Sequence, residues 1–163
     1  MERERKFLVT KPPAGLTKYP HKRIRQGYLA LPNPRDPTPV EVRVRDEAGK
    51  HVLTVKSGRG SRRTEVELPI PDDAFRSLWR LTQGRRIDKV RYRILLDDDL
   101  TVEFDVYRGK LLGLMTAEVE FASARQLRRF RPPQWLGREV TGRDEFSNAR
   151  LATMDKPPMI RRS

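Results

Sequence analysis

The stretch VEVRVRDEAGKHVLTVKS, residues 40–57, decides how the chain is to be read. Successive side chains of a strand point to opposite faces, so residues two apart share one. Over 40–46, Val42 and Val44 then share one face, and Arg43 and Arg45 the other. Over 51–57, Leu53 and Val55 stand against Thr54 and Lys56. Between them EAGK, with Gly49, is a good turn, so the two runs read as a hairpin. One face of that hairpin is apolar and the other carries long cations.

The same alternation recurs on both sides. Before the hairpin, 2–9 and 24–31 read as strands, followed by the proline-rich loop PNPRDPTP at 32–39. After it, 62–70, 88–96, 100–107 and 116–123 read as strands, which makes eight in all. The period changes after Pro71. DDAFRSLWRLTQG reads as a helix capped by Asp72 or Asp73, with Phe75, Leu78, Trp79 and Leu81 or Thr82 on one side and Gly84 at its end. ARQLRRF reads as helical up to Pro132, and a last helix is expected over about 143–153, capped near Asp144. Eight short strands with few helices suit a closed antiparallel barrel or a sandwich. No internal repeat or linker divides the chain, so 1–153 reads as one domain and 154–163 as a flexible tail.

Composition narrows the chemistry. The chain of 163 residues is long enough for a proper core, and 35% of it is charged, with a net charge of +13. That charge favours an anionic partner: nucleic acid, polyphosphate, nucleotide or lipid headgroup. There is no cysteine, so a thiolate metal site is excluded, and His21 and His51 are far apart, which argues against a histidine-based zinc site. A metal here must take oxygen ligands, which points to Mg²⁺, Mn²⁺ or Ca²⁺. No apolar run reaches membrane-span length and no signal-peptide segment opens the chain, so a cytoplasmic protein without a membrane partner is expected.

The charged faces carry almost no Ser, Thr, Gln or Asn. Carboxylates arrive as pairs two apart, Glu2/Glu4, Glu65/Glu67 and Glu118/Glu120, and Glu103 shares a face with Asp105. Bases arrive as Arg43/Arg45 and Lys89/Arg91, with Lys56 and Arg63 on neighbouring strands. For any one strand, a solvated sheet face explains the pattern. For the set, closing the sheet with these faces inward gives a lumen of both signs. Basic side chains neutralise phosphoryl oxygens, and clustered carboxylates hold a hard cation that bridges them. No glycine-rich phosphate loop and no Ser/His or Cys/His pair competes with this reading.

ERERK, residues 2–6, resembles the E-x-E-x-K signature of the CYTH superfamily, the triphosphate tunnel metalloenzymes. RQGYL, EVRVR, LTVKSGRG, RRTEVEL, LWRLTQGRRIDKVRY, VEFDVY, AEVEF, FRPPQWLGREVT and FSNARLA resemble further segments of that family, in its order. The resemblance implies a mainly β (α+β) fold, an eight-stranded antiparallel β-barrel forming a tunnel, with a few flanking helices. It implies Mg²⁺- or Mn²⁺-dependent action on a triphosphate. By position, Glu2, Glu4, Glu118 and Glu120 would hold the metal. Arg43, Arg45, Lys56, Lys89 and Arg91 would grip the phosphate chain, and Arg63 fits the same face. Glu65, Glu67 and Asp105 would serve a second metal or place the attacking water. Lys6 would sit near the scissile phosphate, and Tyr28 either reaches the lumen near Lys6 or packs.

Within the superfamily, the segments most resemble small bacterial inorganic tripolyphosphatases. Hydrolysis of tripolyphosphate to pyrophosphate and phosphate is therefore the leading expectation. A nucleoside or thiamine triphosphatase, an adenylyl cyclase, and a polyphosphate-binding barrel without catalysis are the alternatives. Nucleic acid is not an expected partner, and a homodimer stays open. Trp79 is expected in helix packing, Trp135 as an anchor beneath the barrel, and His21 and His51 at the surface without partners.

Overall fold

A computed structural model of the chain describes residues 3–59, 62–96 and 100–159, with the side chains of Arg59, Arg62 and Arg63 also outside that description. Eight strands carry the alternation: β1 (Glu4–Leu8), β2 (His21–Ala30), β3 (Val40–Glu47), β4 (Lys50–Arg59), β5 (Arg62–Pro69), β6 (Arg86–Leu95), β7 (Thr101–Tyr107) and β8 (Met115–Glu120). A two-residue β9 (Arg138–Glu139) joins them, too short to leave a periodic signal. All pairings are antiparallel, in the order β5-β4-β3-β2-β6-β7-β8-β1-β9. The tunnel fold is the one expected, but its ladder runs open from β5 to β9. Gly49 (φ 88°) allows the tight turn between β3 and β4, where Asp46 Oδ1 accepts from its N–H at 2.9 Å.

The apolar faces pack outward. Phe7, Ile94, Val102, Phe104, Ala117 and Val119, from β1 and β6–β8, form one core with Phe121, Phe130 and Leu136. The segment supplying those last residues includes α2 (Ala124–Arg129), whose cap Ser123 accepts from Gln126 N–H. Trp135 meets Phe104 edge-on, as expected of an anchor. A second core forms where the inward face turns apolar: Leu8, Tyr28, Ile87 and Tyr107 meet Phe146 and Leu151.

The helices depart from expectation at the cap of the first and in the continuity of the last. The first, α1 (Asp72–Arg80), is capped by Pro71 without a side-chain bond, and Asp72 and Asp73 lie inside its first turn. There they still complement the helix dipole. Beyond its end Thr82 is buried and Leu81 is 62% exposed, because Thr82 packs against Gly27 of β2. The expected last helix is broken into a 3-10 turn at Asp144–Phe146 and α3 (Asn148–Leu151). Ser147 breaks it by capping α3, its hydroxyl accepting from Arg150 N–H. His51 is not a bare surface residue either. It stacks on Phe75 at 4.1 Å and lies 3.0 Å from Asp72, so it ties α1 to β4. Trp79 packs on Phe75 and carries the guanidinium of Arg86 at 4.4 Å. No helix among the described residues is long and apolar enough to cross a membrane.

Candidate active site

The inward faces of all eight long strands line a cavity of about 630 Å³. It gathers Glu4 and Lys6 from β1, Arg43 and Arg45 from β3, Lys56 from β4, and Glu65 and Glu67 from β5. Lys89 and Arg91 from β6 and Glu118 and Glu120 from β8 complete the expected set that the cavity brings together. Glu2 lies outside the described residues, as does the side chain of Arg63. A groove of about 850 Å³ beside α2 holds none of these residues.

Register explains the pairing. Lys6 sits directly across from Glu118, and Nζ meets its carboxylate at 2.9 Å. Lys56 is opposite Glu65, and the two pair at 3.1 Å. Glu67 lies opposite Thr54 and accepts from Thr54 Oγ1 at 3.2 Å and from Arg45 at 3.3 Å. Glu4 is opposite Glu120, and Glu103 opposite Glu118. Like charges set directly across strands repel, and between Glu103 and Glu118 the Arg91 guanidinium supplies the intervening cation, 3.3 Å from Glu118. Arg43 and Arg45 each keep a buried Nε with no hydrogen-bond partner among the described residues. Such donors are costly unless an acceptor arrives.

Asp105 does not reach the cavity. It is fully buried, and its oxygens accept from Lys89 Nζ at 2.6 Å and from Arg91 Nε at 2.7 Å and Nη2 at 2.8 Å. Sealed from the cavity and paired with both cations, it fixes Lys89 and Arg91 from below and is out of reach of a metal or a water there. Burial alone would raise its pKa, but Lys89 and Arg91 outweigh this and bring it down to about 2. Burial pushes the Lys89 ammonium down to about 8 against the pull of Asp105. Arg91 is raised: Asp105, Glu103 and Glu118 together overcome its burial. Glu118, which burial would raise, is held low by Lys6, Lys89 and Arg91.

The lining also holds residues to which the sequence assigns no site role. Glu41 shares the face of Arg43 and pairs with it at 3.5 Å, and Glu103 pairs with Arg91. Both follow from the alternation. Gln26 donates to the Tyr28 hydroxyl at 2.8 Å, so Tyr28 is at once packed and at the lumen. Burial first, then Glu41, raises the Tyr28 hydroxyl well above its ordinary pKa, so it stays protonated. Arg143, Asp144 and Asn148 come from the C-terminal segment, where no period marks them. Altogether Lys6, Arg43, Arg45, Lys56, Lys89, Arg91 and Arg143 face Glu4, Glu41, Glu65, Glu67, Glu103, Glu118, Glu120 and Asp144, seven cations to eight carboxylates among the described residues.

Residues 1–139 match the CYTH domain family. A protein of Nitrosomonas europaea named inorganic triphosphatase is 41% identical over 152 residues, covering 93% of this chain and 96% of the relative. Another of that name, from Acetivibrio thermocellus, is 36% identical over 129 residues, 78% of each chain. The crystal structure of the inorganic triphosphatase NE1496 superposes with a TM-score of 0.73 at 39% identity, covering 94% of this chain and 95% of that one.

Proposed function

The chain belongs to the CYTH family, and from that premise we propose that it hydrolyses inorganic tripolyphosphate to pyrophosphate and phosphate in its charged cavity, with a divalent cation. The observation that carries the proposal is the charge balance of the lining, seven cations to eight carboxylates. A cavity built only to hold a polyanion gains nothing from carboxylates aimed at its ligand. They become useful when a cation stands between them and the phosphate oxygens. The name shared by the two relatives supports an inorganic substrate.

The donor set fits a hard ion such as Mg²⁺ or Mn²⁺. Its acidic donors are all carboxylate oxygens, the chain has no cysteine, and neither histidine lines the cavity. Among the described residues no three such groups already surround one point. An ion that completes its shell with the substrate's own oxygens needs no such closed protein cage. Glu4, Glu118 and Glu120 would hold it, with Glu2 as the expected fourth. When bound, the ion draws off charge that develops on the phosphoryl oxygens.

This chain's own residues do the positioning. Arg43, Arg45, Lys56, Lys89 and Arg91 bind the phosphate chain, Arg63 belongs to the same set, and the idle Nε donors of Arg43 and Arg45 gain acceptors. Lys6 stabilises charge at the scissile phosphoryl group beside Glu118. Glu65 and Glu67, half-exposed on the edge strand β5, orient the attacking water. Water adds to phosphorus as the bond to the pyrophosphate oxygen breaks, a reaction that needs mostly positioning and electrostatics. Asp105 holds Lys89 and Arg91 in place throughout.

The test is phosphate release by untagged protein from tripolyphosphate, ATP, thiamine triphosphate and pyrophosphate, each with Mg²⁺, Mn²⁺ or excess chelator. Metal-dependent release from tripolyphosphate, far above ATP, is expected. Tight polyphosphate binding with no turnover under any condition would overturn the proposal.

A further inference from the structure

One lining cation comes from no strand of the barrel. Arg143 lies in the segment after β9, yet it reaches the cavity. That segment is clipped to β1 at Lys6: Val140 N–H donates to the Lys6 carbonyl at 2.8 Å, and Lys6 N–H donates to Thr141 Oγ1 at 3.0 Å. Gly142, with φ 71°, then turns the chain in a conformation that suits glycine. Arg143 N–H closes the turn on the Val140 carbonyl at 3.1 Å. Beyond it Phe146 is buried, and the Arg143 guanidinium lies 5.7 Å from its ring centroid. The backbone that carries Arg143 is thus fixed to the wall that carries Lys6, while its side chain stays 42% exposed.

The other lining cations pair with carboxylates held on strands. Arg143 instead pairs with Glu145, two residues on and 45% exposed, at 2.5 Å, with the exposed Asp144 between them. Water screens such a pair, so it holds the guanidinium weakly. A phosphoryl group offers the guanidinium a bidentate, charge-assisted partner that competes well with Glu145. We infer that Arg143 leaves Glu145 and binds a phosphoryl group of tripolyphosphate at the end of the cavity covered by the C-terminal segment, as a substrate-binding residue. The inference rests on the proposed function above and adds a contact to it.

Steady-state phosphate release by wild type, Arg143→Ala and Arg143→Lys tests it. Loss of one charge-assisted phosphate contact should raise KM for tripolyphosphate about tenfold in Arg143→Ala, with kcat within about threefold. Arg143→Lys should recover part of KM, because it keeps the charge and loses the fork. Thermal midpoints should match wild type. A KM within about twofold of wild type overturns the inference, since a real contact costs more than that. So does a joint loss of kcat, KM and thermal midpoint, which marks a structural role. Absence of tripolyphosphate turnover by wild type would count against the proposed function instead. In that event calorimetric titration of sodium tripolyphosphate into wild type and Arg143→Ala decides Arg143: weaker binding by the variant supports the contact, while equal affinities or no binding overturn it.

Discussion

Replacing Asp105 by Asn should destabilise the protein strongly without touching the cavity surface. Asp105 and Lys89 are each about 1% exposed, and the carboxylate takes three hydrogen bonds from two cations. The amide keeps the shape but loses the charge and turns donors toward donors. Breaking one partner out of a buried ion pair costs about 3–5 kcal/mol. A ceiling follows from Lys89: folding with that amine neutral at pH 7, against a usual value of 10.5, costs about 5 kcal/mol. For a chain of this length, 3–5 kcal/mol lowers the thermal midpoint by roughly 6–20 °C. The sign of the pH dependence follows from the carboxylate. Its folded pKa, about 2, lies below the usual 3.8, so its contribution is full above 3.8 and is lost as pH falls through the folded value. That proton-linked part is about 2–3 kcal/mol. Urea denaturation of wild type and Asp105→Asn at pH 7, 5 and 3 measures it. The gap should be wide at pH 7 and 5 and smaller by about 1 kcal/mol at pH 3, with the rest of the proton-linked part lost only as pH falls through about 2. A gap under about 1 kcal/mol at pH 7 would refute the assignment of Asp105 as the anchor of Lys89 and Arg91.

Three further outcomes are expected. Glu118→Gln and Glu120→Gln should each cut metal-dependent tripolyphosphate turnover about a hundredfold or more while circular dichroism shows a folded sheet, and wild-type rates in either would remove it from the metal site. Gly27→Ala would place a Cβ 2.4 Å from Thr82 Oγ1, whose hydroxyl already donates to the Trp79 carbonyl and accepts from Arg86. Urea denaturation should show a loss of about 1–3 kcal/mol, and an unchanged midpoint would mean that α1 yields there. Thr141→Val removes the acceptor of the Lys6 N–H and should cost about 1–3 kcal/mol and speed exchange of the Lys6 amide, so unchanged exchange would disprove the clip.

The charged lumen was legible because a strand repeats every two residues. Arg43 and Arg45, Glu65 and Glu67, and Lys89 and Arg91 could each be assigned to one face without coordinates, and the same rule reaches Glu41 and Glu103. What alternation cannot tell is depth. Asp105 and Glu103 stand two apart on one face of β7, yet Glu103 lines the cavity while Asp105 is sealed beneath Lys89 and Arg91. Length along the barrel and the reach of neighbouring side chains decide that, and neither is periodic.

The C-terminal segment marks the other limit. Its helix appeared continuous over about 143–153 by composition, but Ser147 found a backbone N–H to cap and broke it, and Arg143 entered the cavity through a turn at Gly142. Which wall that turn leans on depends on Lys6, more than a hundred residues earlier. The sequence alone therefore determined the strands, their two faces and the chemistry of the inward one, since these follow from local geometry. Only the tertiary structure decided which carboxylate answers which cation, which are buried and which cation the C-terminal segment adds, because those depend on register and on contacts between residues far apart in the chain.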